Sequence, residues 1–380
     1  MATFLLDPDV TFLNHGSFGA TPVELLQRQE ALRREMEREP VEFMVRSLPG
    51  HLARARARAA RFLGADPADL AFVTNATAGA NAVLGSLRLQ PGDELLTTDH
   101  VYNAVRNAML REAARAGARV VEVHVPFPLE RPEQVTEAVI AGFGPRTRLL
   151  VLDQITSPTG MVWPMADILA AARAAGILTL VDGAHAPGQL PVDLNGLGAD
   201  FWVGNLHKWL CAPKGAALLH VARAHQAWVH PPVISHGFGG GLHAEFDWPG
   251  TFDPTAWITA EAAFDLHEAE GGADLRAANH ALVQRGREVV AELVGGRLPY
   301  PDDPALYGSM AAILLDGPPE AWAHIHDRLI DAHRVQVPII SWGGHLLVRI
   351  SGFALYNRPE QYERLGHALR SVLDEVGRVR

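Results

Sequence analysis

Short apolar runs alternate with segments of helical periodicity through the first 210 residues, and this pattern restricts the fold more than any other feature. The runs that predict strands are AFVT, ELLTT, RVVEVHV, RLLVLD, ILTLVD and DFWVGN. Helices are predicted around 132–142 and 165–175, between successive runs. Strands that alternate with helices form right-handed crossovers, and therefore a mainly parallel sheet. We predict an α/β fold whose ligand site lies beyond the carboxyl ends of the strands.

Lysine occurs only twice, as Lys208 and Lys214, although Lys and Arg together number 33. Arginine can replace lysine in ion pairs, but its guanidinium stays protonated and cannot form an imine. The chemistry that lysine alone offers is a nucleophilic amine, above all a Schiff base to a carbonyl such as that of pyridoxal phosphate (PLP). The competing interpretation is a drift toward arginine that left two lysines by chance.

Asp182 ends the apolar run ILTLVD, and Lys208 follows the next predicted strand. A PLP ring needs an anionic partner at its pyridine nitrogen, since the protonated ring is the electron sink. Because parallel strands present their carboxyl ends at one edge of the sheet, we expect Asp182 and Lys208 to reach the same ring.

The turn NATAG, with Ala76 and Thr77 at its centre, lies between the run AFVT and an apolar helix. Small residues at a helix N-terminus leave N–H groups free to bind phosphate, and the helix dipole assists them. A tight turn without a ligand is the alternative. No GxxxxGK[ST] or GxGxxG motif is present, so a nucleoside triphosphate or dinucleotide site is not indicated.

The motifs VDGAHA, ADF, HKW and APKG resemble those of the class V aminotransferases, a group of fold-type I PLP enzymes. The resemblance is strongest to the isopenicillin N epimerase branch and weaker to cysteine desulfurases. It extends from FLNHGSFGATP to RISGFALYNRPE, nearly the whole chain. It implies PLP as cofactor and a large α/β domain whose mainly parallel, seven-stranded sheet is flanked by helices.

We expect three segments in the chain. Residues 1–22 form an N-terminal segment near the active site, and 23–256 form the large PLP-binding domain. Long helices and then strands are predicted after 257, so 257–380 is expected to be a smaller C-terminal α+β domain.

The resemblance also implies roles for single residues. Lys208 would bind PLP and act as the base, and Asp182 would contact the ring nitrogen. Tyr102 would stack on the ring, with His100 as the alternative, and Arg349 would bind the substrate carboxylate. Other cofactor contacts are expected at Ala76, Thr77, Ser157 or its neighbour Thr156, His185, Asn205 and His207, and substrate contacts at Asn14 and His15. Thr251 would reach the phosphate in a neighbouring subunit, which implies a homodimer with shared active sites.

Several chemistries begin with proton removal from Cα of an amino acid or an amino-acid-containing small molecule. Cysteine desulfurases need a mobile cysteine in the small domain, and residues 215–380 contain none. We therefore expect an epimerase, racemase or aminotransferase. The alternative is a C–S lyase of the hercynylcysteine sulfoxide lyase type, and a remote third is a non-catalytic PLP-fold binding protein.

The composition argues against other classes. The net charge of −10 disfavours nucleic acid or an anionic membrane as the main partner. A single cysteine, Cys211, excludes an internal disulfide and fits a reducing compartment. The start MATFLLDPDV has no basic region, and no apolar stretch has the length of a membrane span. We expect a soluble cytoplasmic protein, and without HExxH or CxxC we expect no metal.

Overall fold

The computed structural model describes residues 2–378. Its strands are β1 Thr11–Phe12, β2 Leu70–Val73, β3 Glu94–Thr98, β4 Arg119–Val123, β5 Thr147–Asp153, β6 Leu178–Asp182, β7 Phe201–Asn205, β8 Ala217–Val221, β9 Met310–Leu315, β10 Val335–Gln336, β11 Ile339–Trp342 and β12 His345–Ser351. Its α-helices are α1 His15–Phe18, α2 Val23–Arg38, α3 Leu48–Leu63, α4 Ala76–Ser86, α5 Asn103–Ala116, α6 Glu133–Ala141, α7 Met165–Ala174, α8 Leu194–Leu197, α9 Leu242–Phe246, α10 Thr255–Ala269, α11 Ala273–Val294, α12 Trp322–His333 and α13 Glu360–Arg378.

A seven-stranded sheet forms the centre of the large domain, with the order β2-β8-β7-β6-β5-β3-β4. β8 pairs antiparallel with both of its neighbours, and the other six strands run in one direction. The strands are buried on both faces, which explains their nearly continuous apolar sequences. Helices α4 and α5 pack against one face, and α3 and α7 contribute to the core on the other. This confirms the predicted α/β fold.

A smaller C-terminal domain contains an antiparallel sheet with the order β11-β12-β9. Helix α11 packs against β9 and against α13, and α12 packs against α13. The N-terminal segment joins this part of the molecule, because β1 pairs in parallel with β10. An ion pair of 2.8 Å between Asp7 and Arg334 supports the same contact. Helix α1 contacts both domains, since the N–H of Gly16 donates to the hydroxyl of Ser351 and a ring nitrogen of His15 bonds to the carbonyl oxygen of Lys208.

Helix α10 packs against both α2 and α3. It therefore connects the start of the expected small domain to the first long helices of the chain. None of the helices in residues 2–378 is both long enough and apolar enough to cross a membrane.

Candidate active site

A cavity of about 380 Å³ lies at the edge of the seven-stranded sheet where the parallel strands end. Residues that follow β2, β3, β5, β6 and β7 line it together, as expected for an open α/β sheet. Its lining consists of Ser17, Phe18, Asn75, Ala76, Thr77, Tyr102, Asp153, Ile155, Ser157, Asp182, Ala184, His185, Asn205, His207 and Lys208. The structure thus brings nine of the residues named from the sequence to one site.

Lys208 follows β7 and places its amine inside this cavity. Its Nζ lies 3.0 Å from Nε2 of His185. Removal from water, together with the charge of Arg349, lowers the pKa of Lys208 to about 7 against the opposing effect of nearby carboxylates. A large fraction of this amine is therefore uncharged at neutral pH, as a nucleophile or base must be.

Two carboxyl groups lie side by side at the ends of β5 and β6, where Asp153 and Asp182 are register partners. Oδ1 of Asp182 accepts a hydrogen bond of 2.9 Å from the N–H of Ala184. Burial raises the pKa of Asp182, while that N–H and the Lys208 charge oppose the rise. The Asp182 carboxyl, whose charged form is favoured by these two contacts, suits a position against a ring nitrogen that carries a proton.

Asp153 is 4% exposed, and neither of its carboxyl oxygens has a hydrogen bond of normal geometry. Burial and the charge of Asp182 raise the pKa of Asp153 well above its usual value, although the approach of the Tyr102 N–H and the Lys208 charge oppose the rise. The sequence offered a signal for this residue, since Asp153 ends RLLVLD just as Asp182 ends ILTLVD.

The first turn of α4 forms another part of the wall. Asn75 caps the helix by accepting a hydrogen bond of 2.8 Å from the N–H of Ala78. The N–H of Ala76 donates to Oδ1 of Asn205 at 2.9 Å, which fastens the helix start to the end of β7. Thr77 follows in the same turn and also lines the cavity. An exposed helix N-terminus of this kind favours an anion such as phosphate.

His207 lies beside this helix start. Its Nδ1 lies 2.9 Å from the carbonyl oxygen of Ala216, which can only accept, so Nδ1 carries the proton. Burial lowers the pKa of His207 to about 4, so the ring is neutral in the cofactor-free protein. A bound phosphate dianion would favour the protonated ring.

Arg349 reaches the site from β12 of the small domain. Its guanidinium donates to the carbonyl and hydroxyl oxygens of Ser157 and, at 3.2 Å, to the hydroxyl of Ser17. The side chain is 4% exposed and its Nε has no partner. Burial lowers the pKa of Arg349 to about 10, so the group remains charged at neutral pH. A buried cation with spare N–H donors is suited to a carboxylate.

Tyr102 and His100 were alternative candidates for the group that stacks on the cofactor. Tyr102 precedes α5, is 45% exposed and lines the cavity. His100 is fully buried against Trp163 and Trp342, away from the cavity lining. The position of Tyr102 therefore favours it over His100. Thr156, the alternative to Ser157, is likewise buried and bonds to Thr159.

His15 does not lie at the cavity, so we assign it to packing rather than to substrate contact. It is fully buried, its ring stacks on Phe353 at 4.1 Å, and its nitrogens bond to the hydroxyl of Tyr356 and the carbonyl oxygen of Lys208. Asn14, just before α1, is also absent from the lining, and its Oδ1 is buried without a partner. The part of FLNHGSFGATP that faces the cavity is instead the pair Ser17 and Phe18.

Thr251 lies outside this cavity and is exposed. It follows Gly250, whose φ of +124° is readily adopted only by glycine. A role for Thr251 at the phosphate therefore remains a matter for the neighbouring subunit, as the sequence resemblance implied.

The residues present fit PLP. The cavity contains an amine that can be uncharged, buried carboxyls for a ring nitrogen and a helix N-terminus for a phosphate. The carboxyl oxygens of Asp153 and Nε of Arg349 are buried without a hydrogen-bond partner, as expected of polar groups that bind a ligand. Among residues 2–378, no group of three or more His, Cys, Asp or Glu side chains is arranged to hold a metal ion.

Comparisons with known proteins agree with this site. The family model for class V aminotransferases matches residues 45–365. The chain is 35% identical to isopenicillin N epimerase of Streptomyces clavuligerus, over 98% of this chain and 97% of that protein. It is 36% identical to putative L-cysteine desulfhydrase 1 of Oryza sativa subsp. japonica, over 81% of this chain and 67% of that protein.

The fold matches a solved structure of a C-DES mutant with glycine covalently linked to the PLP cofactor. The TM-score is 0.81 at 22% identity, over 96% of this chain and 97% of that chain. These matches confirm the family and the cofactor that the sequence motifs implied. The chain is therefore a PLP-dependent enzyme of the class V aminotransferase family.

Proposed function

We propose that this enzyme acts at Cα of an amino acid or an amino-acid-containing small molecule, as an epimerase or racemase similar to isopenicillin N epimerase. The observation that supports this most is the placement of the Lys208 amine in one cavity with Asp182 and with Ser17 and Ser157, the partners of Arg349. An amino acid offers an amine and a carboxylate on one carbon, and this site provides complementary groups for both.

Bound PLP supplies an aldehyde for the amine and a ring that accepts the electron pair left at Cα. Asp182 holds the proton on the ring nitrogen. Arg349 binds the substrate carboxylate, and Ser17 and Ser157 fix the direction of its guanidinium. Lys208 Nζ removes the proton from Cα, and its lowered pKa suits a base that works near neutral pH.

A C–S lyase is the second candidate, because the chain is also similar to a putative L-cysteine desulfhydrase. The same base at Lys208 would serve, since β-elimination also begins with loss of the Cα proton. A persulfide on the enzyme is not part of this proposal. Cys211 is buried, and burial raises the pKa of its thiol well above the usual value.

The reaction type can be tested by incubating the PLP-loaded enzyme with isopenicillin N and with single L-amino acids in heavy water. We expect deuterium at Cα together with loss of chirality. A 2-oxo acid without racemisation would identify an aminotransferase instead, and pyruvate with released sulfide would identify a lyase.

Lys208→Arg keeps the charge but cannot form the imine, so we expect it to abolish deuterium incorporation. Lys214→Arg is the matched control, because Lys214 lies outside the cavity and bonds to Gly19 and Thr21. Normal exchange in Lys208→Arg would exclude Lys208 as the base.

We also propose a homodimer in which Thr251 reaches the phosphate bound by the partner subunit. Thr251 is exposed and does not line the cavity of its own chain. Val233, Ile234 and Phe238 precede it in the chain and expose 57%, 55% and 62% of their surface. Neighbouring exposed apolar side chains are typical of an interface. A cytoplasmic location is proposed as well, since the one thiol, Cys211, is free and buried.

A further inference from the structure

The ring of His185 lies between the side chains of two consecutive residues, Lys208 and Trp209. Its Nε2 lies 3.0 Å from Nζ of Lys208. Its Nδ1 lies 3.4 Å from Nε1 of Trp209. Trp209 is 1% exposed and packs against His15 and Phe353, so its indole has little freedom to turn away. Both ring nitrogens of His185 therefore have a hydrogen-bond partner.

The contact with Trp209 determines which nitrogen of His185 carries the proton. An indole N–H can only donate, so Nδ1 of His185 must accept and has no hydrogen. Burial and the charges of Lys208 and Arg349 lower the pKa of His185 well below its usual value, so the ring is neutral. A neutral imidazole with an unprotonated Nδ1 has its single proton on Nε2.

The Nε2–H of His185 then points at Nζ of Lys208. A donor in this position can pair with the lone pair of an uncharged amine, whereas a protonated amine would place two donors against each other. The other charged groups that face Lys208 are Asp153 from β5, Asp182 from β6 and Arg349 from β12. The two carboxyls favour the protonated amine. The neutral amine is therefore favoured only because burial, the charge of Arg349 and the N–H of His185 oppose them.

We propose that Trp209 is a positioning residue that fixes the Nε2–H tautomer of His185 and thereby keeps the Lys208 amine uncharged and ready to bind PLP. Trp209 acts through His185 and does not itself line the cavity. This proposal rests on the proposed function, in which Lys208 is the imine-forming amine. It adds how neighbouring residues keep that amine uncharged. Without the indole N–H, His185 can adopt the tautomer with its proton on Nδ1. Its Nε2 can then accept a hydrogen bond from a protonated Lys208.

The test uses cofactor-free protein labelled with ¹⁵N at histidine and lysine. The chain has only two lysines, so two Nζ signals are expected, and Lys214→Arg assigns them. In the wild type we expect His185 to be protonated at Nε2 and Lys208 to titrate near neutral pH. A wild-type His185 that is protonated at Nδ1 overturns the proposal before any variant is made.

Trp209→Phe keeps an aromatic ring in the core but removes the donor. We expect His185 to lose its single tautomer and the titration of Lys208 to move up by a pH unit or more. The rate of PLP uptake at neutral pH should fall about fivefold for the first unit and about tenfold for each further unit. Trp257→Phe is the control, because Trp257 is also buried and donates to the carbonyl oxygen of Gly215, away from His185.

An unchanged tautomer and an unchanged Lys208 titration in Trp209→Phe would contradict the proposal. So would equal effects of Trp209→Phe and Trp257→Phe. Failure of the proposed epimerase reaction is distinguishable from either result, because the tautomer and the titration are measured without substrate or turnover.

Discussion

At the scale of single residues, the site depends on a balance of charges around Lys208. Arg349 and removal from water favour the neutral amine, whereas Asp182 and Asp153 favour the protonated one. The outcome is a pKa of about 7 instead of the usual value near 10. The amine is therefore protonated below neutral pH and uncharged above it.

This balance predicts the pH dependence of PLP uptake by the cofactor-free enzyme. The uptake rate should rise about tenfold per pH unit below 7 and level off above about 8, since only the uncharged amine reacts. Arg349→Gln removes a positive charge that favours the neutral amine, so its profile should move to higher pH. The visible absorbance of bound PLP reports the rate. If the uptake rate of the wild type had its midpoint near the usual lysine pKa, burial and Arg349 would not lower the pKa of Lys208 as described.

The positions of Lys208, Asp182 and the Ala76–Thr77 turn could be predicted because each follows a parallel strand. Period-two alternation and the common direction of the strands determine where such residues lie. The segment around α1 offers no such rule, because a single helical turn shows no periodicity. For this reason the sequence suggested Asn14 and His15, while the structure brings Ser17 and Phe18 to the cavity.

At the scale of elements, both the start of α1 and the glycine that ends it contact the backbone that carries Lys208. Nε2 of His15 bonds to the carbonyl oxygen of Lys208 at 3.0 Å. Gly19 ends the helix with φ +68°, and a Cβ there would come within 2.5 Å of the His207 oxygen and 2.8 Å of the Lys208 oxygen. Only glycine permits this close approach.

Gly19→Ala should therefore displace the segment that holds Lys208. With φ +68° and ψ +157°, Gly19 has a conformation that is almost restricted to glycine and costs an alanine about 1–3 kcal/mol, and the clash adds to this cost. Gly176→Ala is a matched control, because its φ is +69° but a Cβ there has no heavy atom within 4 Å. We expect both variants to unfold at lower temperature and only Gly19→Ala to bind PLP at least tenfold more weakly. Equal PLP affinity in both would show that this contact does not position Lys208.

At the scale of the whole molecule, the proposed dimer makes each active site depend on two chains. Thr251→Asp should place a negative charge against the phosphate in the partner subunit and weaken PLP binding there. Lys208→Ala should eliminate the amine in its own subunit. Each variant alone has two defective sites per dimer, but a mixed dimer has one site in which both residues are native.

Co-expression of Lys208→Ala with Thr251→Asp should restore about a quarter of the wild-type activity, since half of the dimers are mixed and each has one intact site. Activity can be measured by deuterium exchange at Cα, with the two variants expressed separately as controls. Full activity of Thr251→Asp alone, or a mixture no more active than the separate variants, would contradict the shared site.

The guanidinium of Arg349 comes from β12, while its oxygen partners belong to α1 and to the turn after β5. The groups suited to the cofactor, by contrast, all follow strands of the large sheet. Substitutions at Ser17 or Ser157 can therefore alter which molecules are accepted, whereas His15 and Gly19 in the same N-terminal segment also affect the position of Lys208. Because the residues that contact the substrate and those that contact the cofactor lie on different elements, one fold can give rise to both epimerases and lyases during evolution.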